Sequence, residues 1–169
     1  MSSSDSKLKD SDLFYPCLMT RLVDNEPESK IDKTSRTFTA NQVKEDVMKN
    51  LEMILNSSSR PSNEELGGNP WVVGSVLGFG LTDFCGTSHS VDYVEELRKR
   101  IYYQIATFEP RIKKETLEVN LVEEANSESK DLALLINGVI HIAPLNEEIS
   151  FISRLDLELG RATVSENKK

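Results

Sequence analysis

The Glu109-Pro110-Arg111 triplet is the part of the sequence best placed to do chemistry. Glu109 follows a predicted helix, and the proline after it disfavours helical geometry at Glu109 itself. A carboxylate at the C-terminal end of a helix opposes the helix dipole, at a cost of about 0.3–1 kcal/mol. Such local violations tend to occur at functional or tightly constrained sites. The residues alone leave two interpretations: charges presented rigidly for a function, or a helix stop flanked by a surface ion pair worth about 0–1 kcal/mol.

The other reactive side chains give little support for catalysis. His89 and His141 have no companions at the spacing of metal ligands, so no metal site is predicted. Cys85 lies close to His89 in the sequence, but the pair matches no nucleophile signature. Asp83 and Glu109 would form a glycosidase pair only if their carboxyl groups lay roughly 5–9.5 Å apart in a cleft, and sequence gives no distance. We therefore expect no enzyme activity and no cofactor.

Charge and hydropathy narrow the classes of partner. The net charge is -8, from 28 acidic and 20 basic side chains, and the basic residues are scattered, so nucleic acid is not expected as a partner. The longest apolar stretch, Trp71–Leu81, is short and interrupted by glycines, so direct membrane insertion is not expected either. No apolar export signal follows Met1, and Cys17 and Cys85 are far apart, which suits reduced thiols. These features predict a cytoplasmic protein.

The length of 169 residues predicts one folded domain. Residues 1–12 are polar and low in complexity, so we expect a disordered N-terminal tail. The folded domain is predicted over residues 13–164, followed by a short C-terminal tail over 165–169.

Two long helices are predicted to position the triplet. The first, over 40–55, begins with the capping pair Thr39 and Gln42. The second, over 91–108, carries the charge pairs Glu95–Lys99 and Glu96–Arg100 at helical spacing and ends before Pro110. The apolar faces that support these predictions comprise Val43, Val47, Leu51, Ile54 and Leu55 in the first helix and Val94, Leu97, Ile101, Ile105 and Phe108 in the second.

A shorter element is predicted between the two long helices. Asn69-Pro70 suits a helix start and Gly80 a left-handed helix end, which brackets a short helix over 71–79. The interior glycines weaken that prediction, and a buried strand remains the alternative.

The C-terminal third is predicted to be an antiparallel sheet with strands over 116–122, 132–142 and 149–157, followed by a turn at Leu159-Gly160. Asn137-Gly138 is ordinarily a strong hairpin signal. The apolar residues on either side, however, share one face only if the strand continues through, so we predict one strand with a glycine kink. Helices followed by strands indicate an α+β domain with the helices packed on the sheet.

Several short motifs follow one another in a particular order along about residues 13–164. They are Arg21-Leu22, Leu51–Asn56, Ser75–Gly86, Phe108–Arg111, Leu134–Gly138 and Leu155-Asp156-Leu157 with Gly160. This order resembles the TssE family of type VI secretion baseplate proteins, which is similar to the small baseplate wedge proteins of contractile-tailed phages. Thr82 stands where that family usually has proline, Cys85 where it usually has serine, and Gly78-Phe79 where it usually has Asn-Tyr.

The resemblance implies a non-enzymatic structural protein with a fold like the core of a sheath protein. It implies the wedge proteins TssF, TssG and TssK and the sheath proteins TssB and TssC as partners, and a role in starting sheath polymerisation. An exposed strand would pair with strands of neighbouring sheath subunits. The residues that the resemblance assigns to protein interaction are Leu81, Asp83, Phe84, Gly86, Glu109, Pro110 and Arg111.

The triplet is expected to act in assembly more than in folding. Arg111→Ala should then leave the monomer folded, with a stability loss of about 0.5 kcal/mol, and abolish sheath formation. A buried, folding-critical pair would instead cost about 3–5 kcal/mol when broken.

Two other function classes stay open. One is a regulator like the anti-adaptor IraD, which has a similar fold, and gene neighbourhood would separate it from a secretion protein. The other is a peptidoglycan glycosidase, which an assay on cell-wall material would identify.

Overall fold

The computed structural model describes residues 14–23, 27–28, 30, 37–58, 65–81, 91–122, 131–143 and 145–167. The predicted N-terminal tail over 1–12 lies outside them, as does the end of the predicted C-terminal tail.

The chain forms helices first and a sheet afterwards, which confirms the predicted α+β class. The helices of the described part are α1 (Leu18–Leu22), α2 (Ala40–Asn56), α3 (Pro70–Val73) and α4 (Val91–Phe108). Short 3-10 turns cover Val76–Gly78 and Lys114–Thr116. The strands are β1 (Glu118–Val122), β2 (Asp131–Ile142), β3 (Leu145–Asp156) and β4 (Arg161–Glu166).

Both long helices lie where their periodicity predicts them. At the start of α2, the side chain of Thr39 accepts from the backbone of Gln42, and the side chain of Gln42 accepts from the backbone of Thr39, so the capping box is confirmed. On α4, Glu96 lies 2.6 Å from Arg100 and Glu95 lies 3.7 Å from Lys99, as expected. The helix ends one residue before Glu109, because Pro110 disfavours helical geometry at the residue before it.

The segment predicted as one short helix over 71–79 is divided into two turns. Asn69 accepts a hydrogen bond from the backbone of Trp71 at 3.0 Å, and Pro70 occupies the first helical position, as expected. The helix nevertheless stops after Val73, and a 3-10 turn follows from Val76 to Gly78.

The four strands form an antiparallel sheet in the order β1-β2-β3-β4. β2 continues through Asn137-Gly138, which pairs with Ser150-Ile149 of β3, so the predicted continuous strand is confirmed. A Cβ atom at position 138 would lie 2.9 Å from the side chain of Ile112, so any other residue there would require that side chain to shift. The sequence signal for a turn therefore reflects close packing.

β3 starts four residues earlier than predicted, at Leu145. The sequence over 145–148 lacks the alternation of a half-buried strand, yet it pairs with the end of β2 up to Ile142. Backbone pairing with a long neighbouring strand therefore outweighs local composition here.

The core lies between the sheet and the two long helices. α2 packs against β3 and β4, and α4 packs against β1 and α2. The residues that bury their side chains there include Val47, Leu51, Ile54, Ile101, Ile105, Leu134, Ile136, Ile140 and Leu155. The exit of α4 thus emerges beside the middle of α2, where the triplet lies.

Candidate functional site

The triplet belongs to a network of polar side chains that joins three separate parts of the chain. Glu109 and Arg111 follow α4, Asp46 and Asn50 lie on α2, and Thr20 lies on α1. We call the first four of these residues, Asp46, Asn50, Glu109 and Arg111, the charged brace.

Glu109 is the centre of the brace. Its side chain is 0% exposed. Its Oε1 accepts from Nε of Arg111 at 2.7 Å, and its Oε2 accepts from Nη2 of Arg111 at 2.7 Å. Nδ2 of Asn50 donates to the same Oε2 at 2.6 Å. This two-pronged geometry is the strong form of an arginine–carboxylate interaction.

Arg111 connects Glu109 to α2. Its Nη1 donates to Oδ2 of Asp46 at 2.6 Å, so one guanidinium group holds two carboxylates. Because Nε, Nη1 and Nη2 are all engaged, the planar fork of arginine is used along two edges. A lysine could not reproduce this arrangement.

The surroundings shift the pKa values of Asp46 and Arg111. Burial alone would raise the pKa of Asp46, but hydrogen bonds from Thr20 and Arg111, the charge of Arg111 and a contact with Cys17 together hold it below the usual 3.8. Burial would lower the pKa of Arg111, yet the hydrogen bonds and charges of Glu109 and Asp46 hold it above its usual value. Both groups are therefore charged at neutral pH.

The brace also holds residues 14–23, which we call the N-terminal arm, against α2. Thr20 Oγ1 donates to Oδ1 of Asp46 at 2.5 Å, and Cys17 Sγ lies 3.1 Å from Thr20 Oγ1. Before α1, Phe14 pairs with Phe38 through two backbone hydrogen bonds. α1 itself buries no residue, so polar contacts and Phe14 hold the arm in place.

The geometry of the brace excludes one part of the two interpretations of the triplet, the surface position of its ion pair. The surface ion pair is wrong, because Glu109 is completely buried. The unfavourable position of its carboxylate relative to the helix dipole is offset by three hydrogen bonds from the side chains of Arg111 and Asn50. Pro110 remains exposed between the two charged residues.

The brace is arranged for structure and not for acid–base chemistry. Both oxygens of Glu109 are occupied and enclosed, so this carboxyl group has no access to a sugar substrate. Asp83, its suggested glycosidase partner, lies outside the described residues. Among the described residues, no group of three histidine, cysteine or acidic side chains could hold a metal ion. Likewise, none of the described helices is long and apolar enough to cross a membrane.

The loop that was predicted to contact partners is described only at its start. Leu81 is buried, and its backbone N–H donates to the carbonyl of Ser57 at 2.8 Å. Asp83, Phe84 and Gly86 lie outside the described residues. Leu81 and Glu109 are thus held inside the folded chain, whereas Pro110 and part of Arg111 reach its surface.

Sequence reasoning missed the partners of the triplet. Asp46 and Asn50 are polar residues one turn apart on α2, beside the apolar positions Val43, Val47 and Leu51. Gln104 interrupts the apolar face of α4 in the same way, and its amide binds the loop before Leu81. A polar residue within an apolar stripe was the available signal, because buried polar groups need partners.

The two edges of the sheet each receive a side chain from a helix. At β4, Asn56 donates to the carbonyl of Ala162 at 2.8 Å and accepts from its N–H at 2.9 Å. At β1, Arg98 Nη1 donates to the carbonyl of Val119 at 3.0 Å, while Glu95 holds Arg98 by two hydrogen bonds of 2.7 and 2.8 Å. Each edge is therefore capped at one position.

A family model described as baseplate wedge protein gp25 matches residues 41–144. The matched range runs from α2 to the turn after β2 and includes the whole charged brace. No curated protein and no solved structure matches the chain.

Proposed function

Since this chain belongs to the baseplate wedge protein gp25 family, which is the TssE family, we propose that it joins the baseplate wedge of a type VI secretion system and initiates the contractile sheath. The family supports a structural role in a phage-like baseplate, with other baseplate components as partners. The match to residues 41–144 is the observation that carries this proposal. The proposed partners are TssF, TssG and TssK in the wedge and TssB and TssC in the sheath, all in the cytoplasm.

The charged brace has a mechanical role in this proposal. By joining α4 to α2 and, through Thr20, to α1, it fixes the relative positions of Pro110 and the N-terminal arm. Pro110 is exposed, and so are Leu18 and Leu22 of α1. A wedge protein would contact this exposed surface, and Glu109 would act by keeping its shape.

Sheath contact is proposed to use the open part of a sheet edge. Outward N–H and C=O groups alternate along an edge strand. Since those of Ala162 are bound by Asn56, the next outward groups of β4 belong to Val164 and Glu166. An extended sheath strand would pair there through backbone hydrogen bonds.

The proposed function is non-enzymatic. The enclosed, fully paired carboxylate of Glu109 supports this, as does the family's structural role. Purified protein is expected not to hydrolyse peptidoglycan. Muramidase turnover that disappears in the folded Glu109→Gln variant would overturn this part of the proposal.

Co-expression tests the partners. The tagged chain is expressed with the TssF and TssG homologues of the same gene cluster, and a stable complex is expected after affinity purification and gel filtration. In the native host, deletion of the gene is expected to abolish fluorescent sheath assembly, and the wild-type gene should restore it. Normal sheaths in the deletion strain would contradict the proposal.

A further inference from the structure

The segment from α3 to the following 3-10 turn presents three large apolar side chains to solvent. Trp71 is 89% exposed, Val76 88% and Leu77 57%. We call these three residues the apolar knob. Exposed apolar residues that occur together mark interaction sites more often than residues scattered singly do. Trp71 is also the one tryptophan of the chain, and tryptophan is enriched among residues that dominate binding energy.

Side chains of α4 bind the backbone and the ring that directly follow the knob in the chain. The buried side chain of Gln104 donates to the carbonyl of Gly78 at 2.8 Å and accepts from the N–H of Gly80 at 3.0 Å. The ring of Phe79 packs edge-on against Phe108, with 5.1 Å between the ring centres. A surface that is fixed before binding loses little conformational entropy when a partner arrives.

Gly78 and Gly80 are both required for this backbone path. A Cβ atom on Gly78 would lie 1.9 Å from the carbonyl oxygen of Val73, so the 3-10 turn rests directly on the end of α3. Gly80 has φ +99°, and a Cβ atom there would lie 2.4 Å from the carbonyl oxygen of Ser57. The two glycines thus support the backbone of a segment that buries part of Phe79 and exposes Trp71, Val76 and Leu77.

The charge pattern indicates the kind of surface that the knob fits. Leu66–Thr82 contains no charged residue, although the chain carries 28 acidic and 20 basic side chains. A neutral, exposed apolar surface is complementary to a neutral apolar pocket, and charged groups facing it would be desolvated without compensation. We propose that the apolar knob docks into an uncharged apolar pocket on a partner protein, with Trp71 as its anchor.

Two other occupants are disfavoured. A membrane surface is a poor match because the chain has a net charge of -8 and Leu66–Thr82 offers no lysine or arginine to anionic lipid headgroups. A second copy of the chain is disfavoured as the receptor by the character of its cleft. The cleft found in the described part, of about 540 Å³, has polar walls that include Lys44, Glu118 and Glu148.

Photocrosslinking in the native host tests whether the knob is covered. The full chain carries p-benzoylphenylalanine at Leu77, and a matched strain carries it at Lys114, which is exposed on the other 3-10 turn. A discrete crosslinked protein is expected from position 77 and not from position 114. Equal crosslinking from both positions would overturn the proposal, since it would reflect random encounter.

The crosslinked protein, identified by mass spectrometry and purified, is then titrated with the chain. Binding is expected to shift the Trp71 fluorescence to shorter wavelength and to protect it from acrylamide. Trp71→Ser is expected to weaken binding roughly thirtyfold by calorimetry, as for a tryptophan hot spot. Lys114→Ser, the matched control, is expected to bind within about twofold of wild type.

Further outcomes decide between the occupants. A Trp71→Ser variant that binds within about threefold of wild type would overturn the role of Trp71 as the anchor. Protection of Trp71 by anionic phospholipid vesicles alone would favour a membrane and overturn the protein pocket. Docking at the knob is independent of the proposed baseplate role. A receptor outside the baseplate would support the docking of the knob, whereas co-purification with wedge proteins tests the baseplate role.

Discussion

The charged brace and the apolar knob reverse the usual distribution of side chains. The brace buries Asp46, Glu109 and most of Arg111 inside the fold, whereas the knob exposes a tryptophan and two aliphatic residues. Each arrangement is unfavourable for an isolated domain, since buried charges lose hydration and exposed apolar groups order water. In the brace, hydrogen bonds between the charged groups offset the hydration that these groups lose on burial. The knob has no such compensation in the described chain, which is why a partner is inferred for it and not for Glu109.

The largest expected effect comes from breaking the brace. Arg111→Ala leaves Glu109 and Asp46 without their cation, and we expect a loss of about 3–5 kcal/mol in the free energy of unfolding. This replaces the expectation of about 0.5 kcal/mol, which assumed a surface position. Urea denaturation measures the loss.

Arg111→Lys is expected not to restore stability, because an ammonium group lacks the planar fork. The matched control is Arg100→Ala, which removes an exposed pair with Glu96 and should cost less than about 1 kcal/mol. Equal losses in the two alanine variants would show that the brace behaves as a surface pair.

A smaller loss in the free energy of unfolding is expected from Gly78→Ala, next to Leu77 of the knob. The new Cβ atom would meet the backbone of Val73, so the 3-10 turn must move, at a cost of about 1–3 kcal/mol. Gly74→Ala is the comparison, because its Cβ atom would approach the carbonyl of Pro70 only to 3.2 Å. Thermal denaturation should rank Gly78→Ala as the less stable variant. The Gly78→Ala protein should also lose binding at the knob although Trp71 is retained.

The pH dependence of stability sharpens the account of the brace. The pKa of Asp46 is lowered in the folded state, so its contribution is fully present above the unfolded value of 3.8 and is lost as the pH falls through the folded value. The difference in unfolding free energy between wild type and Asp46→Asn should therefore shrink below pH 3.8. Thr20→Val, which removes one hydrogen bond to Asp46, should weaken this dependence. A difference that stays constant across acid pH would contradict the role given to Asp46.

The smallest effect is expected from the knob itself. Trp71→Ser alters a side chain with little contact to the fold, so the unfolding free energy should stay within about 0.5 kcal/mol of wild type. Circular dichroism during urea titration checks this. A large loss of unfolding free energy would mean that Trp71 supports the fold. The knob would then be a structural element like the brace.

The elements of the fold were predictable because their signals are local. The capping box at Thr39 sets the start of α2, and the parity of apolar residues carries β2 through Gly138. The contacts of the site were not predictable in the same way. Asp46 and Arg111 lie 65 positions apart, and no local pattern specifies which cation meets which carboxylate. The unfavourable position of Glu109 at its helix end indicated a constrained site, but not that the constraint was burial.

The capped sheet edges affect the tendency of the protein to aggregate before it is assembled. An open strand edge invites pairing with any other chain, and that hazard grows with the length of the unprotected edge. Asn56 at β4 and Arg98 at β1 each satisfy backbone groups that a stray strand would need. Newly synthesised copies therefore present fewer unpaired backbone groups along the sheet edges, which lowers the risk of aggregation.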